Sequence, residues 1–463
     1  MHHVIIGAGP VATNAIETIR QFDGGQSQIT LISDEPAHSR MALPYWLSGQ
    51  FPREHTSTGD DAYFRRLNVD ARIGARAAAL DPQARTVTLG DGSTLAFDDL
   101  LIATGASPLG LRVPGADLPG VQGLWTLGQT ELLLNATAGL ERPRVVMVGA
   151  GFIGFIMLNA MSKRGWTLTV IEREAHVLPR MLDEAGASLV ESWLADRGVA
   201  VHANATVHAI AAADGGAKRV ELDGGPSIEC DAVVVATGIR PNLDLARAAG
   251  IETEQGILVN DRMQTNVPHV FAGGDCAQGP VMFSDRREIH PIQPTAVDHG
   301  RVAGANMAGH EVHYPGSLSM NILDVCGLQT ASFGQWSDAQ ADAMTISNPS
   351  GRIYRKLLWT GDRITGAIFA GRANDMGMLT DVGMVKGFMQ TGTRLGPWKE
   401  FLRENPFDVR RPYVACNVAR RLVDSTLLGR PSKPRDFRAG GVEPKTTIGR
   451  PANPAPLPIP NGA

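Results

Sequence analysis

The apolar and polar positions at the start of the chain follow two successive periods. Residues 4–6 form a short apolar run, which predicts a buried strand, and Gly7 and Gly9 follow it directly. Apolar residues then recur at helical spacing to about residue 22, and residues 29–32 form a second apolar run. A strand, a helix and a strand within about 30 residues predict a βαβ unit with two parallel strands.

The same pattern returns in the middle of the chain. Residues 145–148 are apolar, a glycine-rich turn occupies 149–154, and helical spacing runs to about residue 164. A further apolar run follows at 168–171. This second unit is a weakly similar copy of the first, and two copies predict two nucleotide sites.

The pattern of apolar and polar residues changes in the last third of the chain. Strand-like segments such as 328–333 and 364–369 come first, and helical spacing follows around 380–389 and 396–403. The pattern predicts an α+β domain from about residue 316. After residue 428 prolines are frequent and no period persists, which predicts an extended or disordered tail.

Composition excludes several classes of protein. The 463 residues are 43% hydrophobic and 19% charged, as in ordinary globular proteins, and the net charge of −4 gives no footprint for nucleic acid. The four cysteines form no CxxC pair and the histidines match no ligand spacing, so neither a metal site nor a disulfide framework is expected. We recognise no signal peptide or membrane-spanning run, and expect a soluble, cytoplasmic protein.

The second glycine-rich turn has the spacing of a dinucleotide-binding fingerprint. Gly149 permits a tight turn, Gly151 lets a pyrophosphate approach the backbone, and Gly154 lets the helix pack close to the strand. The N-terminus of that helix would face the anion. The alternative is a glycine-rich turn of an α/β domain without a nucleotide, which the flanking strand and helix disfavour.

An acidic residue after the next strand bears on nucleotide selectivity. Glu172 is placed to accept a hydrogen bond from a ribose 2′-hydroxyl and to repel a 2′-phosphate, which favours NADH over NADPH. The neighbouring Arg173 leaves NADPH open.

The first glycine-rich turn carries a variant of the same fingerprint. Gly7 and Gly9 are followed by Ala12 at the third position, where alanine is accepted. Either Asp34 or Glu35, after the second strand, would hold an adenosine ribose. A purely structural βαβ unit is the alternative for this copy taken alone.

Three further motifs carry a resemblance to a known family. Two apolar runs end in Ala-Thr-Gly, at 103–105 and 236–238, and residues 265–275 contain Thr-x-x-Pro and end in Gly-Gly-Asp. Together with both fingerprints, these motifs occur in the order found in the FAD-dependent pyridine nucleotide oxidoreductases. Over about residues 1–310 the chain resembles this family of flavoproteins with two dinucleotide-binding domains.

The resemblance implies an α/β fold with two Rossmann-like dinucleotide-binding domains, one inserted in the other, plus an α+β C-terminal domain. The implied boundaries are 1–112 with 241–315 for the FAD-binding domain, 113–240 for the NADH-binding domain, 316–428 for the C-terminal interface domain and 429–463 for a proline-rich tail.

The resemblance also implies FAD and NADH as cofactors. Asp275 would bond the flavin ribityl chain, and residues 294–296 would begin a helix that faces the flavin pyrimidine. The cofactor-binding residues implied in this way, or expected from the fingerprints, are Gly7, Gly9, Pro10, Val11, Ala12, Asp34, Glu35, Arg40, Ala103, Thr104, Gly105, Gly149, Gly151, Phe152, Ile153, Gly154, Glu172, Gly238, Gly274, Asp275, Pro294, Thr295 and Ala296.

The chain departs from the family in its thiol chemistry. Ser39 occupies the position of the redox cysteine used by disulfide reductases, and no cysteine precedes Cys230. The ferredoxin and rubredoxin reductase branch is more similar, and it implies that Arg40 lies along the FAD. That branch pairs a lysine with a glutamate near the flavin, and Tyr45 and Ile156 stand at those positions here.

These features predict an FAD-containing NADH oxidoreductase that passes electrons to a protein redox partner such as a ferredoxin, a rubredoxin or an iron–sulfur subunit. The third domain resembles that of a nitrite-reductase-like subgroup, and the family resemblance implies a homodimer formed through this domain. The third domain would serve either electron transfer or packing and dimerisation alone. Two alternatives remain open: a stand-alone NADH oxidase or quinone reductase, and a non-catalytic FAD-binding subunit or redox sensor.

Overall fold

The computed structural model describes residues 1–424. The predicted proline-rich tail, 429–463, and the last four residues of the predicted C-terminal domain, 425–428, lie outside the described residues.

The first βαβ unit forms the centre of a five-stranded parallel sheet. In spatial order its strands are Val270–Ala272, Asp99–Ile102, His2–Ile6, Gln28–Ser33 and Val69–Ile73. The central strands are buried on both faces, as continuous apolar runs predict. One edge strand comes from beyond residue 240, so the chain leaves this sheet and later returns to it.

Two helices of this region pack with almost no space between their backbones. They are Pro10–Asp23 and Gln293–Met307. A methyl group at Gly300 would lie 2.3 Å from the carbonyl oxygen of Val11, and one at Gly304 would lie 2.7 Å from that of Ala15. The i, i+4 spacing of these glycines places both on one face of the later helix, which explains the close approach.

The second βαβ unit forms the centre of another five-stranded parallel sheet. In spatial order its strands are Ala200–His202, Thr167–Ile171, Arg144–Val148, Ala232–Val235 and Val121–Gly123. Its helices are Leu127–Ala136, Phe152–Lys163 and Glu184–Ala195.

The chain crosses between these two sheets twice. The crossing segments Ala106–Pro108 and Ile239–Pro241 pair as antiparallel strands, which fixes one sheet relative to the other. Smaller sheets comprise Ala77–Asp81, Thr86–Leu89 and Thr94–Ala96; Val207–Ala212, Lys218–Leu222 and Ile228–Cys230; and Ile257–Leu258, Ala277–Pro280 and Arg287–Glu288. Shorter helices are Leu43–Leu47, Asp61–Arg66 and Asp244–Ala248.

The C-terminal region is a five-stranded antiparallel sheet with helices after it. Its strands, in spatial order, are Met320–Val325, Leu328–Gly334, Arg363–Arg372, Ile353–Thr360 and Asp342–Asn348. The helices are Met376–Gln390, Trp398–Glu404, Arg410–Ala415 and Val418–Asp424. The predicted fold class, two Rossmann-like units plus an α+β domain, is confirmed.

Among residues 1–424, no helix has both the length and the hydropathy needed to cross a bilayer. The domain boundaries stay predictions.

The contact between Gly300 and Val11 yields a test of the packing. We expect Gly300→Ala to cost ~1–3 kcal/mol because the methyl group forces two helix backbones apart. The matched control is Gly383→Ala, at a helical position where a methyl group meets nothing within 4 Å. That change should stabilise the chain by up to ~1 kcal/mol. Thermal unfolding midpoints measure both, and equal midpoints would contradict the packing argument.

Candidate active site

The first of two large cavities lies where the strands of the first sheet end. Its volume is about 670 Å³. The wall consists of segments that follow four of these strands: 7–11, 33–36, 103–105 and 273–275. Because parallel strands bring their carboxyl ends to one edge, segments distant in sequence converge here.

The first glycine turn forms the floor of this cavity. Gly7 has φ +103°, and a Cβ atom there would lie 2.2 Å from the carbonyl oxygen of Ala103. A Cβ atom at Gly9 would meet nothing within 4 Å, since Gly9 borders the open cavity. Gly9 also begins the helix Pro10–Asp23, which has no side-chain cap. The uncapped helix start is a site suited to a phosphate.

Charged side chains face this cavity from two sides. The Arg40 guanidinium lies 5.0 Å above the Trp125 ring and 3.6 Å from a carboxylate oxygen of Glu35. Asp34 also lines the cavity. The Asp275 carboxylate has no hydrogen-bond or ion-pair partner among residues 1–424; burial raises its pKa, and the charge of Arg40 opposes that shift. An unpartnered acceptor at this place fits a ligand that carries hydroxyl groups.

A buried histidine supports the turn that presents Asp275. Nδ1 of His299 accepts a hydrogen bond from the Gly274 N–H at 3.2 Å, and the ring meets Tyr314 edge-on. Complete burial lowers the pKa of His299 to about 3, so the ring is neutral at physiological pH. His299 therefore supports this turn as a neutral hydrogen-bond acceptor.

The second cavity, also about 670 Å³, repeats the construction at the end of the second sheet. Gly149 has φ +102°, and a Cβ atom there would lie 2.4 Å from the carbonyl oxygen of Ala236. Gly151 borders the open cavity and begins the helix Phe152–Lys163, again without a side-chain cap. Gly238 contributes to the wall.

Glu172 lies in the wall of the second cavity, and its carboxylate is hydrogen-bonded to backbone N–H groups. Its side chain accepts hydrogen bonds from Ala150 N–H at 2.6 Å and from Glu174 N–H at 2.9 Å. Arg173 points to solvent and pairs with Glu174 at 2.9 Å. Glu172 therefore stabilises the glycine turn in addition to facing the cavity.

The two cavities share an apolar wall. Residues that border both are Leu124, Trp125, Phe152, Ile153, Met157, Pro291, Ile292 and Met320. Groups bound on either side would meet here, in largely apolar surroundings.

Most of the predicted site residues line one of the cavities. Exceptions are Ala12, Gly154 and Thr295, which are buried behind the walls. A Cβ atom at Gly154 would lie 2.8 Å from the carbonyl oxygen of Gly149, so this glycine has the packing role that the fingerprint predicts. The first helical turn at 293–296, like the other two uncapped starts, directs its N–H groups toward a cavity.

Several wall residues were not expected from the sequence. Trp125 separates the cavities, and its Nε1 donates to the carbonyl oxygen of Ala106 at 3.0 Å. Met320 reaches both cavities from the C-terminal sheet, and residues 178–181 line the second. None of these lies in a nucleotide-binding fingerprint, so no local signal marked them as cavity walls.

The cavity walls contain no thiol. All four cysteines lie within the described part of the chain, and none borders either cavity. The Cys276 thiol is fully buried and donates to the carbonyl oxygen of Gly273 at 3.3 Å; burial raises its pKa.

The two residues at the predicted lysine and glutamate positions lie in different surroundings. Tyr45 is half-exposed and stacks on Phe51, whereas Ile156 lines the first cavity.

Comparison with known families agrees with this geometry. The family model described as pyridine nucleotide-disulphide oxidoreductase matches residues 1–300. The chain belongs to this family. Its membership confirms the predicted resemblance, the prediction of an FAD-dependent NAD(P)H oxidoreductase, and FAD and NADH as cofactors.

Individual relatives differ in length. The NADH-dependent phenylglyoxylate dehydrogenase subunit epsilon of Aromatoleum evansii is 31% identical over 419 residues, which are 89% of this chain and 97% of that protein. The assimilatory nitrate reductase electron transfer subunit of Bacillus subtilis (strain 168) is 26% identical over 382 residues, 82% of this chain. Those residues are 48% of the Bacillus protein, so the chain spans about half of that relative.

A solved structure shows the same architecture. The NAD-dependent persulfide reductase from A. fulgidus superposes with a TM-score of 0.78 at 29% sequence identity, covering 86% of this chain and 78% of the other.

Proposed function

We propose that the chain binds FAD in the first cavity and NADH in the second, and passes electrons between NADH and a separate redox protein. The apolar wall shared by two nucleotide-type cavities is the observation that carries the proposal. Bound FAD supplies hydride exchange with NADH and one-electron exchange with the partner.

The first cavity contains groups suited to each part of FAD. The uncapped start of the helix Pro10–Asp23 suits the pyrophosphate, and Glu35 or Asp34 suits the adenosine ribose. Asp275 suits the ribityl hydroxyls, and the helix start at Gln293 favours negative charge on an adjoining ring.

In the second cavity the start of the helix Phe152–Lys163 suits the pyrophosphate of NADH, and Glu172 faces the ribose end. Phe152 and Ile153 border both cavities and make their junction apolar. The protein's contribution is therefore positioning within apolar surroundings.

A separate redox protein is the acceptor that the site favours. The absence of a thiol from both walls, within residues 1–424, disfavours disulfide chemistry on this chain. Two relatives are by their names subunits, one of a dehydrogenase and one for electron transfer. A ferredoxin, a rubredoxin or an iron–sulfur subunit fits this pattern.

The proposal includes a homodimer formed through the C-terminal domain and a cytoplasmic location. Three strongly exposed apolar side chains, Met376, Phe407 and Val414, lie in the helical part of that domain and support a contact surface there.

An anaerobic titration with NADH tests the function. We expect the flavin absorbance to bleach at one NADH per site, and a 2Fe–2S ferredoxin to reoxidise the reduced protein faster than oxygen or menadione does. Equally fast reoxidation by oxygen or menadione would make the chain an oxidase or quinone reductase. A flavin that NADH leaves oxidised would make it a binding subunit or sensor.

Replacing Asp275 tests the first cavity. We expect Asp275→Ala to weaken FAD binding about tenfold or more, since the loss of a buried acceptor for hydroxyl groups costs ~1–3 kcal/mol. The ratio of flavin to protein absorbance after gel filtration measures this. The exposed Asp285→Ala is the control and should keep full occupancy. A fully flavinated Asp275→Ala protein would contradict the assignment.

Replacing Glu172 tests the second cavity. We expect Glu172→Ala to raise the NADH dissociation constant about tenfold, because the N–H of Ala150 in the glycine turn loses its acceptor. The NADPH dissociation constant should rise less, because the 2′-phosphate of NADPH no longer faces a carboxylate. Stopped-flow reduction with each nucleotide measures both constants. Exposed Glu141→Ala should change neither. Unchanged constants for Glu172→Ala would remove its role.

A further inference from the structure

One carboxylate joins the C-terminal sheet to the second dinucleotide-binding unit. Asp183 immediately precedes the helix Glu184–Ala195, and its Oδ1 caps that helix by accepting from Gly186 N–H at 3.1 Å. Its Oδ2 accepts from the Tyr354 hydroxyl at 2.7 Å and from Lys356 Nζ at 2.8 Å. Both donors lie on the C-terminal strand Ile353–Thr360.

This contact is charged at neutral pH. Burial opposes the ionisation of Asp183, but the hydrogen bonds from Lys356, Tyr354 and the Gly186 N–H outweigh it and lower its pKa. The side chains of Asp183 and Lys356 are 25% and 21% exposed. A charge-assisted hydrogen bond that is shielded to this degree is stronger than a pair on the open surface.

The segment just before Asp183 is part of the wall of the second cavity. Residues 178–181 line that cavity. Leu178 has φ +53°, a left-handed conformation that a leucine adopts only where its surroundings enforce it. Its N–H donates to the carbonyl oxygen of Ala150 at 2.9 Å, within the glycine turn itself.

Both ends of this wall segment depend on the same helix. At its start, the N–H of Val177 donates to Oε1 of Glu191, in the middle of Glu184–Ala195, at 3.1 Å. At its end, Met181 and Leu182 lead directly into Asp183. A shift of the helix start would therefore move the strained wall and, through Leu178, the turn at Ala150.

We propose that Asp183 is a positioning residue for the nicotinamide nucleotide. Held by Tyr354 and Lys356, it keeps the wall segment 178–181 in the shape that receives the nucleotide, so the C-terminal domain sets nucleotide affinity. This inference rests on the proposed placement of NADH in the second cavity.

The other end of the same helix offers a matched control. Arg352 donates to Ser192 Oγ at 2.9 Å and pairs with Asp196, so it also joins the C-terminal sheet to the helix. Neither Ser192 nor Asp196 borders a cavity. Breaking this contact weakens the same interface but leaves the contacts of Asp183, at the start of the helix, in place.

The experiment compares Lys356→Met, Asp183→Asn and Arg352→Met in the flavin-containing protein. NAD⁺, which does not reduce the flavin, is titrated calorimetrically, and NADH reduction is followed by stopped flow. For Lys356→Met we expect the NAD⁺ dissociation constant to rise about tenfold. The limiting rate of flavin reduction and the FAD content should stay as in the wild type. Arg352→Met should remain within about twofold of the wild type.

Asp183→Asn decides the question if Lys356→Met does not fold. Asparagine still caps a helix but cannot form the ion pair, so the same rise in the NAD⁺ constant is expected. Unchanged constants in the folded Lys356 and Asp183 variants, or an equal rise in Arg352→Met, would overturn the inference. A wild-type protein that binds no NAD⁺ would instead overturn the proposed function.

Discussion

At Gly7 and Gly149 the chain passes so close to a neighbouring segment that a Cβ atom would lie 2.2 Å and 2.4 Å from a carbonyl oxygen. The two oxygens belong to Ala103 and Ala236, each the first residue of an Ala-Thr-Gly segment after an adjacent parallel strand. The contact permits a strand to turn into a helix at the sheet edge, with the helix N-terminus directed into a cavity. Both cavities, and everything placed around them, depend on this approach.

The two copies form one site because the chain joins them rigidly. The antiparallel pair of crossing segments, Ala106–Pro108 and Ile239–Pro241, holds the sheets in one orientation. Trp125 donates a hydrogen bond to one crossing segment, and the Arg40 guanidinium lies over the Trp125 ring. The glycine turn of the second copy then supplies Phe152 and Ile153 to the wall of the first cavity. An apolar junction between two uncapped helix starts results, and it suits a hydride exchange that needs no protein acid or base.

The C-terminal domain does more than cover the other two. Met320 completes the wall between the cavities, and Tyr354 and Lys356 bind the carboxylate that begins the helix Glu184–Ala195. Nearby, Trp193 Nε1 donates to the carbonyl oxygen of Val325 at 3.1 Å, so this helix is fastened to the sheet along much of its length. Helix and sheet form one support behind the second cavity.

The sequence by itself determined the features that depend on neighbours in the chain. Gly7, Gly9, Gly149 and Gly151 could be assigned because a strand–glycine–helix turn is complete within about ten residues and leaves a fixed spacing. For the same reason one could recognise the apolar runs of the parallel strands, and the strand-like and helical segments of the last domain. Asp275, which lines the first cavity, could be singled out because it ends a motif of adjacent residues.

Only the tertiary structure decided the features that join distant segments. Trp125, Met320 and the wall segment 178–181 reach the cavities through chain paths that leave no local pattern. Glu172 was expected to face a ribose, and the fold also gives it two backbone N–H groups to accept from. The side chains that bind Asp183, those of Tyr354 and Lys356, lie more than 150 residues away in the sequence. Such contacts exist only once the sheets have packed, because sequence spacing carries no information about them.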